Sequence, residues 1–317
     1  MQKKVLIIGS GIAGISSSLK LKTYGIDSVL VDKGRFLGGR ISSREVKNID
    51  NIDYFFHGAQ FFTAKSDNFK KIIEQGIKNN FIEEFGRFNP PRYRGYKSMR
   101  NFLSNLTFNL NIKQNNTIID LKPNKKQITA LNEKTKTWQS FDGVISTIPS
   151  PQNYDLMENF PKLRKTLVTS SYDSCIAFMF SINKRPENFP IYFDLYKKRG
   201  ILSWMASGSN LNLWTAHTKG SYANKNLNQN KNQLQNEIFS AIQKVFSKWE
   251  NSLEVNFHSL HIWKYAKVKK ISSGLQIDPD FPVALAGDFM EGSNIESAFI
   301  SGEKAANLIF NRLNQVS

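Results

Sequence analysis

Three glycines, Gly9, Gly11 and Gly14, stand at the spacing G-x-G-x-x-G directly after the β-branched apolar run Val5 to Ile8. They precede a segment in which Ile15, Leu19 and Leu21 recur at helical spacing, up to Gly25. In that context the glycines serve different ends: Gly9 permits a tight turn, Gly11 lets backbone approach a pyrophosphate, and Gly14 allows close packing of helix on strand. The first helical residues, Ile12 and Ala13, then offer N–H groups that have no partner inside the helix and that attract phosphate. Asp32 ends a second apolar run, Ser28 to Val31, where a carboxylate can accept from both hydroxyls of an adenosine ribose, with Lys33 beside it. A glycine triple alone is weak evidence. With its strand, helix and acid in place, the chemistry it points to is dinucleotide binding.

The next segment narrows the dinucleotide. Gly38, Gly39 and Arg40 follow Asp32 closely, and a domain that holds only NAD has no use for a second glycine pair with an arginine there. A flavin dinucleotide does: the glycines let backbone pass near the cofactor, and Arg40 offers a planar cation to its pyrophosphate. Near the other end of the sequence, Gly287 and Asp288 close another short apolar run, Val283 to Ala286, ahead of a helix predicted from about Ile295 to Leu313. Asp288 can meet the ribityl or pyrophosphate region, and the positive end of the helix at Ile295 can stabilise the negative charge of a reduced flavin. Cys175 lies far in sequence from these motifs, in a predicted strand, so the expected cofactor is FAD held non-covalently.

The elements that must position these residues are a strand, glycine turn, helix and strand within about 32 residues, which is a βαβ unit with a right-handed crossover. Helices are predicted over Ser66 to Asn79 and Tyr96 to Leu106. Short antiparallel strands are predicted over Thr117 to Leu121, Lys126 to Asn132 and Thr137 to Phe141, and a buried strand over Val144 to Ile148 that Pro149 and Pro151 stop. From Tyr172 the texture changes to aromatic-rich strands, Tyr172 to Ile182, Ile191 to Leu195, Ile201 to Ala206 and Leu213 to His217. A polar helix, Gln229 to Phe246, and a strand around Val255 to Tyr265 follow. The expected fold is α/β: an FAD-binding Rossmann-type, two-dinucleotide-binding domain with an inserted mixed-sheet α+β substrate domain. The expected ranges are 1–64, 98–152 and 276–317 for the first, and 65–97 and 153–275 for the second.

With 317 residues, 40% hydrophobic and 12% aromatic, the chain can build a sizeable core. No apolar run reaches the roughly 18 residues that a spanning helix needs, and the glycines at 9, 11 and 14 break what would otherwise pass for a signal peptide. A single cysteine rules out an internal disulfide framework and fits a reducing compartment, so the expected location is the cytoplasm, with no membrane partner. The 43 Lys and Arg against 26 Asp and Glu, net +17, are spread along the chain with no nucleic-acid reading motif, so no nucleic-acid partner is expected. A phosphate-bearing small molecule is the more economical partner for the charge. His57, His217, His258 and His261 show no metal-ligand spacing, and no metal is expected.

The runs Asp32-Lys33-Gly34-Arg35-Phe36-Leu37-Gly38-Gly39-Arg40 and His57-Gly58-Ala59-Gln60-Phe61-Phe62-Thr63 resemble the flavin amine oxidase superfamily, and within it the renalase-like proteins of bacteria. Arg92-Tyr93-Arg94-Gly95, His261-Ile262-Trp263-Lys264-Tyr265-Ala266 and Gly287-Asp288-Phe289 with Ile295 to Gly302 agree with it. The resemblance implies that His57, Gly58, Ala59 and Gln60 lie along the flavin ring, with Gln60 facing substrate. It departs at Phe56, where relatives carry an acid, so no carboxylate is assigned beside the flavin. Gln60 and Trp263, with Phe61, Tyr93 and Tyr265, are the expected walls of a substrate pocket. The resemblance implies an oxidase that takes a hydride from a small molecule, an aberrant dihydronicotinamide dinucleotide being the leading class, with oxygen as acceptor. Such a donor needs no catalytic base. An amine oxidase or desaturase of the same superfamily, and an electron-transfer flavoprotein without a substrate of its own, are the alternatives.

Overall fold

The computed structural model describes residues 2–47, 52–247 and 254–315. It divides into two compact units, residues 1–39, 103–171 and 268–317, and residues 40–102 and 172–267.

The first unit is built on a parallel sheet. β1 (Lys4–Ile8), α1 (Ile12–Thr23) and β2 (Asp27–Val31) form the βαβ unit that the glycine turn requires. After two strands of the second unit, β3 (Arg44–Lys47) and β4 (Ile52–Phe55), and the elements described with it below, the chain returns. Five strands run in the order β17-β11-β1-β2-β7, with β7 at Asn111–Lys113, β11 at Gly143–Ser146 and β17 at Val283–Leu285. Each neighbouring pair is parallel. Val5, Leu6, Ile7, Val144, Ile145 and Val283 are fully buried, the run of unbroken apolar residues that a sheet covered on both faces demands. A separate meander of β8 (Ile118–Asn124), β9 (Gln127–Asn132) and β10 (Trp138–Phe141) is antiparallel. The helices α4 (Ser150–Leu156) and α5 (Pro161–Leu167) follow β11, and α8 (Asp288–Glu291) and α9 (Ile295–Gln315) follow β17. The serines of α1 let α9 come close: Ser16 Oγ donates to the Phe299 carbonyl at 2.8 Å, and Ser17 Oγ, shared with the Ala13 carbonyl of its own helix at 2.8 Å, lies 3.0 Å from the Gly302 carbonyl.

The second unit holds the β3–β4 hairpin, α2 (Asp67–Lys78), the β5–β6 hairpin (Ile82–Glu84, Tyr93–Gly95) and the start of α3 (Met99–Thr107), inside which the two units divide. Its main sheet has the order β13-β14-β15-β12-β16. These strands are β12 (Ser171–Ile182), β13 (Tyr192–Asp194), β14 (Leu202–Ser207), β15 (Leu213–Thr218) and β16 (Val255–Lys270). The pairings β13–β14 and β14–β15 are antiparallel, as strands consecutive in the chain and joined by short connections require, and β12 pairs with β15 antiparallel as well. Between β15 and β16 come α6 (Gly220–Asn226) and α7 (Lys231–Phe246). Leu234, Ile238, Ile242 and Phe246 recur every fourth residue of α7 and bury fully against Phe178, Phe180, Met205 and Trp214. Each such side chain contributes roughly 1.5–3 kcal/mol, and Asn230 caps the helix by accepting from the Asn232 N–H at 2.8 Å.

Alternation along the strands gives the sheet two unlike faces. The Trp214 and Phe178 side packs on α7. The other side carries Thr215 and His217 of β15, level with Ala206 and Trp204 of β14 and with Met179 and Ala177 of β12.

The unit boundaries differ from the expected domain ranges. Residues 40–64 fall in the second unit, because the Tyr54 N–H donates to Ser209 Oγ at 2.7 Å and Phe55 packs with Met179 and Leu213. Residues 153–171 fall in the first, where Asn159 donates to the Leu121 carbonyl at 2.8 Å.

Candidate functional site

In the first unit the glycine turn is fixed from three directions. The Gly9 N–H donates to the Val31 carbonyl at 2.8 Å, and Thr147, just past β11, donates through Oγ1 to the Ile8 carbonyl at 2.9 Å. Asp32 then organises the loop: Oδ2 accepts from the Ser10 N–H at 2.7 Å and from Ser10 Oγ at 3.0 Å, and Oδ1 accepts from the Gly34 N–H at 2.7 Å. A carboxylate has about four acceptor positions, so one remains on Oδ1, where two ribose hydroxyls are expected from the sequence. Gly38 is tied to the same turn, its N–H donating to the Ser10 carbonyl at 3.0 Å. Gln114 completes the group: its Nε2 donates to Ser10 Oγ at 3.0 Å, while its buried Oε1 has no partner. Lys33 and Gly39 are exposed, and Ile12 and Ala13 are buried in the first turn of α1.

The glycines of this turn answer to different constraints. A Cβ on Gly14 would lie 2.0 Å from the Gly9 carbonyl oxygen, so the fold itself demands glycine there. Gly11 is unlike it: its φ is −74° and an added Cβ would meet nothing within 4 Å. Neither backbone conformation nor packing within the chain requires glycine at 11.

The second glycine motif of this unit lies where α8 begins. Gly287 has φ +140° and donates its N–H to Ser301 Oγ at 3.0 Å, and Asp288 follows, buried. Asn294 caps α9 by accepting from the Ser297 N–H at 2.8 Å, which leaves Ile295 at the first helical position, as expected from the sequence.

In the second unit one predicted pocket residue, Trp263, joins His217 at the carbonyl of His57. Trp263 Nε1 donates to it at 2.8 Å and His217 Nε2 at 3.1 Å, so two strands of the sheet hold one peptide group. His57 stacks on Trp263 with centroids 5.5 Å apart and meets His261 edge-on at 5.1 Å. Gln60, buried, donates Nε2 to the Thr215 carbonyl at 3.0 Å, while Gln60 Oε1, Thr215 Oγ1 and His57 Nδ1 are buried without a partner. Gly58 is required by close approach: a Cβ there would stand 2.1 Å from the Arg40 carbonyl oxygen, which also accepts the Ala59 N–H at 2.8 Å. The Arg40 guanidinium donates to the carbonyls of Tyr265 and Ala266 at 3.4 and 3.3 Å and lies 5.8 Å from the Tyr172 ring. Phe61 and Tyr93 go elsewhere. Phe61 joins Phe88 and Tyr192 around the Arg92 guanidinium, at 4.5, 4.1 and 4.6 Å, and Tyr93 pairs with Phe62.

Burial dominates the electrostatics of the His57 ring, with Arg44 and Arg100 as the neighbouring cations. Burial, followed by His261, Arg44, His217 and Arg100, lowers the His57 pKa to about 3. Burial lowers that of His217 to about 4, against its hydrogen bond to the His57 carbonyl, which raises it. Both rings are neutral at neutral pH, and His217 carries its proton on Nε2, since it faces a carbonyl oxygen. Burial pushes the Cys175 thiol up to about 12, so it is no thiolate nucleophile. Although three histidines assemble here, no group of three or more His, Cys, Asp or Glu among the described residues can hold a metal ion.

Sequence reasoning missed Ser10, Gln114, Thr147 and His217. Thr147 carried a readable signal, a hydroxyl at the end of a buried strand. His217 carried none, because its role comes from pairing across 160 positions. Replacing His217 with leucine and Trp263 with phenylalanine, singly and together, would strip a buried carbonyl of its donors. Each single change is expected to cost about 1–2 kcal/mol and the pair more than their sum, since only then is the carbonyl wholly unpaired. A double-mutant cycle by urea denaturation measures it.

Residues 7–75 match the family model described as an NAD(P)-binding Rossmann-like domain. Over 46 residues the chain is 41% identical to the 4,4'-diaponeurosporene oxygenase of Staphylococcus haemolyticus, and over 79 residues 32% identical to the chloroplastic/chromoplastic zeta-carotene desaturase of Zea mays. Those stretches are 14% and 25% of this chain and only 9% and 14% of the two relatives. Among solved structures, a protein of Exiguobacterium sp. 255-15 assigned as a protoporphyrinogen oxidase matches 99% of this chain and 100% of its own, with a TM-score of 0.72 at 10% identity. A fatty acid isomerase of P. acnes that produces CLA matches 96% and 98%, also with a TM-score of 0.72 at 10% identity. At these identities the likeness is one of fold: an α/β chain whose parallel sheet carries a Rossmann-like dinucleotide turn.

Proposed function

We propose that this chain is an FAD-dependent oxidoreductase that takes a hydride from a small molecule. Gly11 carries the reading. Neither its own φ nor packing demands glycine there, and the N-cap of α1 would equally accept serine, asparagine or aspartate, so a bare backbone at this position suits a group that passes over it where the first N–H groups of α1 emerge. The donor set fits a dinucleotide: the remaining acceptor position on Asp32 and the unpartnered Gln114 Oε1 suit ribose or adenine donors, and the α1 N-terminus suits a pyrophosphate. A second glycine pair fastened to the first turn through Gly38 favours FAD over a nicotinamide dinucleotide in this place. When bound, the flavin supplies the hydride-accepting chemistry.

In the second unit, neutral His57 and His217 among the cations Arg44 and Arg100 offer no attraction to a protonated amine. This supports a neutral or anionic hydride donor, with a dihydronicotinamide dinucleotide as its first candidate, over an amine. The test is anaerobic mixing of the purified, cofactor-loaded protein with normal and isomeric dihydronicotinamide dinucleotides and with simple amines, followed by admission of oxygen. The flavin absorbance is expected to bleach with a dihydronicotinamide and return with oxygen as hydrogen peroxide forms. Bleaching by amines alone would overturn the substrate class, and bleaching by none of the donors would leave an electron-transfer protein in place of the enzyme.

A further inference from the structure

Two neighbouring segments of the first unit expose aliphatic side chains. At the end of α5, Val168 is 64% exposed, and just beyond β16, Ile271 and Leu275 are 46% and 45% exposed. The segments are fastened together: Thr169 Oγ1 accepts from the Ser273 N–H at 2.8 Å while donating to the Thr166 carbonyl at 2.7 Å, and Gly274 lies against Thr166. The Ser272 N–H, bonded to the Phe289 carbonyl at 2.7 Å, anchors the second segment to α8. The aliphatic groups are thus displayed on a built surface. Lys165, Lys269 and Lys270 flank them, all exposed, and none is in an ion pair among the described residues.

We infer that this patch docks the protein onto an anionic lipid surface. The composition selects that partner. Protein interfaces deplete lysine and are anchored by Trp, Tyr and Arg, and a nucleic acid gains nothing from valine, isoleucine and leucine. Aliphatic side chains set among lysines match a bilayer face, where hydrocarbon takes the former and lipid phosphates attract the latter. The net charge of +17 adds a long-range attraction of the same sign. No spanning segment is needed for such a contact, and among the described residues no helix is long and apolar enough to cross a membrane.

The experiment is co-sedimentation of the whole chain with vesicles of phosphatidylcholine alone or mixed with phosphatidylglycerol. The parent is expected to sediment with the mixed vesicles, less so as salt is raised, and to stay in solution with phosphatidylcholine alone. Reversing the charge of Lys165, Lys269 and Lys270 to glutamate should reduce partitioning on the order of a hundredfold. Changing Val168, Ile271 and Leu275 to serine should reduce it roughly tenfold at unchanged net charge. The control K125E/K134E/K136E, in exposed positions of the β8–β9–β10 meander, makes the same change in net charge and should shift partitioning far less. Equal losses in the control and the patch variants would overturn the proposal, as would a parent that ignores the mixed vesicles. So would serine variants that bind vesicles normally but lose self-association, for then the patch meets a second copy of the chain.

Discussion

Replacing Gly11 with alanine is expected to leave the fold intact and to weaken dinucleotide binding by tenfold or more, whereas the same change at Gly14 should damage the fold itself. At Gly14 the new methyl would stand 2.0 Å from the Gly9 carbonyl oxygen, with Ile7 Cγ2 at 3.3 Å, and backbone cannot move aside as a side chain can. Overpacking of that kind costs about 1–3 kcal/mol and more where the neighbour is rigid, enough to lower the melting temperature by several degrees. At Gly11 the methyl meets nothing within 4 Å, and the cost to the chain is confined to a poorer N-cap for α1, about 1 kcal/mol. Its main victim would be a ligand lying against the backbone. Thermal melts of the two apoproteins, with titration of each by FAD, separate the effects. A Gly11→Ala protein that binds FAD as the parent does would show that nothing passes over this turn.

Acid should destabilise the protein well before most carboxylates protonate. His57 and His217 have pKa values of about 3 and about 4 in the folded chain, against 6.5 when unfolded. Between pH 6.5 and those values the unfolded chain binds more protons than the native one, so stability falls as pH falls through this window and is fully present above it. At pH 4 each ring contributes a loss on the order of 3 kcal/mol, a large share of the 5–15 kcal/mol typical of a domain. Urea denaturation at a series of pH values from neutral down to about 4 would show the loss, and replacing His57 by asparagine with His217 by glutamine should flatten it. An unchanged pH slope in that double variant would place the acid sensitivity elsewhere.

Much of the first unit was legible in the sequence because its determinants are local. A β-branched run, a glycine spacing and an acid at a strand end suffice for β1, α1 and β2, and the meander strands fall within a few residues of their expected places. One boundary erred for a physical reason: the strand expected to end at Leu121 runs on through Pro123 to Asn124, which an edge strand tolerates because its outward N–H needs no partner. The β3–β4 and β5–β6 hairpins, α4, α5, α6 and α8 were not legible in the same way. They are short, and what holds them is distant, as when Ser209 and Leu213 secure the β4 strand. The same holds for the site. The motif from His57 to Gln60 and the residue Trp263 could be picked out one by one, but the meeting of Trp263 and His217 on the His57 carbonyl, and of Gln60 with the Thr215 carbonyl, exists only once β15 and β16 are in place.

The reading of the glycine turn as a flavin site is tested most directly by what the purified protein carries. The full chain, expressed and purified without added cofactor, should be yellow and, on heat denaturation, release FAD in close to one equivalent per chain, identified by chromatography and mass spectrometry of the supernatant. FMN in its place, or a colourless protein that takes up a nicotinamide dinucleotide but no FAD on titration, would contradict the account.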